Sequence, residues 1–164
     1  MPKRITLNTD LDFYENLNEL PSSFQKLVRR AEEASSLAYA PYSKFNVGAA
    51  MLLEDGEIVV ASNQENAAYP SGMCAERSAV YWIGGNRPGK KIEMIAVVAR
   101  PDNKDFVAVS PCGSCRQALL EYEYKQGEPI RMIMQTEGGA YLVADSMKSL
   151  LPVTFDGDSL LQEK

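Results

Sequence analysis

The chain has 164 residues, three cysteines, no histidine and a formal net charge of −5. That length suits one compact domain burying roughly 70% of its unfolded surface, so no disulfide staple is needed, and an odd cysteine count fits a disulfide framework poorly. The missing histidine excludes Ser-His-Asp triads, histidine bases and imidazole-built zinc sites, and scattered positives in an acidic chain argue against a polynucleotide partner, which favours a basic face.

Residues 1–20 are polar and acidic and read as an N-terminal extension, with residues 21–164 as a single domain. Met1 to Thr6 lacks the apolar core of a secretory signal. No apolar run approaches the ~20 residues of a membrane-spanning helix. A cytoplasmic location without a membrane partner is the default expectation.

Pro21-Ser22-Ser23 precedes a helical pattern in which Phe24, Leu27, Val28, Ala31 and Ala38 recur. A serine there can cap the helix, which should stop before Pro41. Val47–Leu53 and Glu57–Ala61 are apolar runs joined through Asp55-Gly56, a pair suited to a hairpin turn. After a polar segment, 62–72, a helix is expected from about Met73 to Ile83, ended by Gly84-Gly85. Ile92–Ala99 reads as a buried strand and Cys112–Tyr124 as a helix. Ile130–Gln135 and Ala140–Val143 read as strands, and Ser146–Leu151 as a short terminal helix. Helices alternating with strands predict an α/β domain with a sheet of five strands covered on both faces.

The cysteines fall at two places, Cys74-Ala75-Glu76-Arg77 and Pro111-Cys112-Gly113-Ser114-Cys115, each at an expected helix start. Unpaired N–H groups at a helix N-terminus stabilise thiolate over thiol. Cys112 and Cys115 lie one helical turn apart, so their sulfurs can converge on one ion. Three thiolates leave a tetrahedral ion one open position, as in a catalytic rather than a structural zinc site. Arg77, on the same turn as Glu76, could withdraw charge from a thiolate. Other readings stay open from these residues alone. The cysteines could be core residues, and Cys112 with Cys115 could be a redox pair, although that leaves Cys74 unexplained.

A ligand two residues before a glutamate, followed by Pro-Cys-x-x-Cys, is the pattern of zinc nucleobase deaminases. The chain resembles the small-subunit, homotetrameric, zinc-dependent cytidine deaminase family from about Phe24 to Phe155. Four patches carry the resemblance: Tyr39 to Ala50, Asn63-Gln64-Glu65-Asn66-Ala67, Cys74 to Ala79, and Pro111 to Gln117. It implies a three-layer α/β/α fold with a central mixed five-stranded sheet. It also implies one Zn²⁺ per subunit on Cys74, Cys112 and Cys115, and Glu76 as proton shuttle. Phe45 would stack on the pyrimidine, Asn63 and Glu65 would bind the sugar, and Ala75 would touch substrate. Leu150-Leu151-Pro152-Val153-Thr154-Phe155 matches a tail whose phenylalanine closes a neighbouring subunit's site, although Val153 stands where an aromatic is often seen. The activity implied is hydrolytic deamination of free cytidine and deoxycytidine. A deaminase of another small substrate such as blasticidin S, or a non-catalytic zinc-stabilised module, are the alternatives. The module would have no need of Glu76.

Overall fold

The computed structural model describes residues 2–160. Met1 and residues 161–164, the ends of the expected extension and domain, lie outside that range. Nine regular elements follow one another: β1 (Asp12–Tyr14), α1 (Ser22–Ser35), β2 (Phe45–Leu53), β3 (Ile58–Ser62), α2 (Ala75–Asn86), β4 (Ile92–Pro101), α3 (Gly113–Gln126), β5 (Arg131–Gln135) and β6 (Tyr141–Ala144). The sheet order is β1-β6-β5-β4-β2-β3. β4 and β5 are parallel, joined by the α3 crossover, and the other pairs are antiparallel.

Period-two alternation sorts the strand residues between two cores. Met51, Ile95, Val97 and Met132 meet Ala79, Val80 and Ile83 of α2 and Leu119 and Leu120 of α3. Ala50, Ala96, Val98 and Ile133 meet Leu27, Val28 and Ala31 of α1. The result is the expected three-layer α/β/α arrangement with a mixed sheet. Gly48 sits where α1 crosses β2. A Cβ there would lie 1.9 Å from the Ala31 carbonyl oxygen, so glycine lets helix and strand touch backbone to backbone.

Three sequence expectations are corrected. The sheet has six strands rather than five, because Asp12–Tyr14 pairs with Tyr141–Val143 along the β6 edge. The expected helix end at Gly84-Gly85 is not an end, since α2 continues to Asn86. Gly84 faces α3, where a Cβ would stand 2.1 Å from the Tyr122 hydroxyl, so this glycine serves helix packing. The terminal helix is one 3₁₀ turn, Met147–Leu150, opened by Ser146, whose side chain accepts from the Lys148 amide. The buried Glu123 carboxylate ties that turn to α3, accepting from the Ile130 and Met147 amides at 2.8 Å each and from Ser146 Oγ at 2.6 Å. Among the described residues, no helix is long and apolar enough to cross a membrane.

Candidate active site

The N-termini of α2 and α3 meet at one end of the sheet and carry the three cysteines. Cys74 is the N-cap of α2 and Cys112 the N-cap of α3, both in extended backbone conformation. Neither makes a side-chain capping bond, so neither sulfur is engaged by its own helix end. Cys115, one turn into α3, is buried. Cys74 Sγ lies 4.0 Å from Cys112 Sγ, and Cys112 Sγ lies 3.5 Å from Cys115 Sγ. All three sulfurs fall within 4.8 Å of one another.

The Cys74 and Cys115 thiols are drawn in opposite directions. The Cys74 thiol is drawn down to about 5, first by a hydrogen bond from Cys115, then by Arg77 and Cys112. Cys115 is pushed far up, by its bond to the Cys74 sulfur and by burial. Arg77 Nη2 lies 3.7 Å from Cys74 Sγ, and its buried Nε has no protein partner. One arginine offsets a single negative charge, whereas a divalent cation offsets two and can bond each sulfur directly. A soft, compact sulfur set suits zinc, so the donor set fits the ion.

Glu76, the second residue of α2, is 4% exposed. Burial raises its carboxyl above the usual range, and the neighbouring Cys74 thiolate adds to the rise. Its own burial beside the cysteine cluster is what a proton-carrying carboxyl requires.

Cys74, Cys112, Glu76, Phe45, Asn63 and Glu65 line one cavity of about 420 Å³, within the range of small-molecule sites. Thus the strand ends of the sheet and two helix starts bring together residues spread over 68 positions of the chain, from Phe45 to Cys112. Arg77 also borders the cavity. Ala75 is fully buried and Phe155 is exposed, and neither lines it. The Phe155 carbonyl accepts from Gln117 Nε2 at 2.8 Å, which pins the tail against α3.

The polar wall is already engaged with its own backbone. Asn63 Oδ1 accepts from the Val47 amide at 2.8 Å, and its Nδ2 donates to the Phe45 carbonyl at 2.9 Å. Glu65 accepts from the Tyr42 and Ser43 amides and from the Ser43 hydroxyl. Sequence reasoning missed Ser43 and also Tyr69, an exposed ring on the cavity wall that meets Tyr42 edge-on at 6.2 Å. A serine two residues before Phe45 is a turn signal, but its partner Glu65 is 22 residues away.

Residues 21–127 match the model of the cytidine and deoxycytidylate deaminase zinc-binding region. A cytidine deaminase of Halalkalibacterium halodurans is 41% identical over 99 residues, 59% of this chain and 70% of that protein. A cytidine deaminase of Mycobacterium tuberculosis is 34% identical over 140 residues, 82% of this chain and 90% of that protein. The crystal structure of cytidine deaminase from Burkholderia pseudomallei superposes with a TM-score of 0.66 at 36% identity, over 79% of this chain and 97% of that one. The matched region spans both cysteine patches and the elements that bring them together, and on that ground the chain belongs to the zinc-dependent cytidine deaminase family.

Proposed function

We propose that the chain hydrolyses free cytidine and deoxycytidine to uridine and deoxyuridine with release of ammonia, a step of pyrimidine salvage in the cytoplasm. The observation that carries this reading is the buried Glu76 carboxyl beside the three-cysteine cluster, in a cavity whose other walls hold Phe45, Asn63 and Glu65. Cys74, Cys112 and Cys115 would hold zinc, which would supply the Lewis acidity that makes water a nucleophile near neutral pH. Glu76 takes a proton from the attacking water and delivers it to ring N3, which leaves C4 electrophilic. The water oxygen bonds to C4, and Glu76 then takes the remaining proton of that new hydroxyl and passes it to the amine, so that the C4–N bond breaks as the C4 oxygen becomes the carbonyl of the product. One water enters and one ammonia leaves, with Glu76 restored. Arg77 draws charge from Cys74, and Phe45 stacks on the base.

Glu65 and Asn63 bind the sugar while holding their backbone partners. A carboxylate has about four acceptor sites, and the bonds to Tyr42 and Ser43 use three. One stays free for the 3′-hydroxyl. Losing that partner costs about 1–3 kcal/mol, so 3′-deoxycytidine should react roughly tenfold or more below cytidine in kcat/KM. Glu65→Ala should narrow that gap. Equal specificity constants in the wild type would remove the sugar role from both residues.

We further propose a homotetramer in which Phe155 closes a neighbour's site. Phe155 is 59% exposed in the single chain while its backbone carbonyl is held by Gln117. Excluding bulk water strengthens interactions in a small site. Mixing Phe155→Ala and Glu76→Gln tetramers after reversible dissociation should regain activity above the sum of the two. A fully active monomer in light scattering would contradict this arrangement.

A further inference from the structure

Phe45 and Glu65 stand on separate segments, and one hydroxyl joins them. Ser43 Oγ donates to Glu65 Oε1 and accepts from the Phe45 amide at 3.1 Å. The Tyr42 and Ser43 amides donate to the other carboxylate oxygen at 2.9 and 3.2 Å. We propose that Ser43 is a positioning residue for nucleoside recognition, locking the Glu65 carboxylate and the Phe45 backbone into one unit so that sugar and base are met in a fixed relation. The inference rests on the reading of Glu65 as a sugar contact and Phe45 as a base contact.

A serine that merely closes a local turn accepts from an amide two residues on. Ser43 does this and also donates to a carboxylate 22 positions away. The surrounding turn is firmly held. Lys44 has φ of 57°, a region that residues other than glycine enter infrequently. Its amide donates to the Ala40 carbonyl at 3.0 Å, and its carbonyl accepts from the Asp102 amide at 2.8 Å. Asn46 Nδ2 donates to Asp102 Oδ1 at 2.6 Å. The turn is thereby tied both to its own chain and to the end of β4. Asn63 grips the same segment from the far side of Phe45, through the Phe45 carbonyl and the Val47 amide. Phe45 therefore has its amide held by Ser43 and its carbonyl held by Asn63. The Ser43 hydroxyl is also the leading cause that keeps the Glu65 carboxyl below the usual range, in its acceptor form.

The test compares Ser43→Ala and Ser43→Thr on cytidine and 3′-deoxycytidine. Ser43 is exposed, and two amides still hold Glu65 when the hydroxyl is lost, so the fold should persist. Ser43→Ala should lower kcat/KM for cytidine about tenfold, the scale of a hydrogen bond to a charged group, chiefly through KM. The ratio between the two nucleosides should shrink. Ser43→Thr keeps a hydroxyl and should recover most of both. Adding Glu65→Ala to Ser43→Ala should shrink the ratio no further than Glu65→Ala alone. Exchange of the Phe45 amide, followed by NMR without substrate, should speed up in Ser43→Ala and slow again in Ser43→Thr. Wild-type KM, ratio and exchange in Ser43→Ala would overturn the proposal, as would a Ser43→Thr enzyme as impaired as Ser43→Ala. If the wild type treats both nucleosides alike, the sugar reading is what fails. The Phe45 exchange rate and the KM for cytidine then decide on Ser43 alone.

Discussion

Glu76→Gln should keep its fold and its zinc while turnover falls by at least about 10²–10⁴-fold, the range typical of a lost general acid–base group. Glutamine has nearly the size of glutamate, so the buried position in the first turn of α2 stays filled. It cannot accept a proton, and the proposed reaction needs this group to accept or give one at several steps. The loss should therefore fall on kcat. The proposed substrate contacts at Phe45, Asn63 and Glu65 are untouched, so KM should move little. The pH profile adds a second check. Burial and the Cys74 thiolate both raise the Glu76 carboxyl. A raised carboxyl is protonated at a higher pH than an exposed one, so activity that needs the carboxylate falls away on the acid side earlier than an ordinary glutamate would dictate. Zinc at the cluster would withdraw the thiolate's contribution and leave burial as the main cause. An enzyme in which Glu76→Gln retained turnover within a few fold would place the proton transfer on another group.

The cysteine cluster was legible in the sequence because it depends on local spacing. Cys112 and Cys115 are one turn apart on a helix, and Cys74 and Glu76 straddle a helix start, so their clustering required only that two helix N-termini meet. The amphipathic helix α1 was legible for the same reason, through Leu27, Val28 and Ala31. What escaped was non-local. Asp12–Tyr14 is too short to show a period and becomes a strand through pairing with β6. Gly84 reads as a helix breaker until Tyr122 of α3 is seen against it. The resemblance implied a sugar role for Asn63 and Glu65, and it did not show that both hold the backbone around Phe45. Those backbone bonds arise only when the segment after β3 folds against the turn before β2.

Metal removal should abolish activity while leaving the chain folded. The two cores run between the sheet and the helices, and their residues include neither Cys74 nor Cys112. A chelator strong enough to strip zinc should thus preserve the far-ultraviolet circular dichroism. The melting temperature should fall, because a ligand that binds only the native state contributes about 4 kcal/mol when present at 1,000 times its Kd. Elemental analysis before chelation should show close to one zinc per chain, the capacity of a single three-sulfur cluster. Thiol labelling separates loss of the ion from loss of the fold. With the metal bound, all three sulfurs are engaged and should react slowly. Without it, Cys74, drawn down to about 5, is mostly thiolate at any pH above that value. It should react with an alkylating reagent even at mildly acidic pH, where an ordinary thiol is protonated. Buried Cys115, pushed up by the bond to Cys74 and by burial, should remain inert. Re-adding zinc should restore turnover and protect the fast thiol in parallel, since one event governs both. A stripped protein that still deaminates cytidine at the full rate would break the link between the cysteine cluster and the reaction.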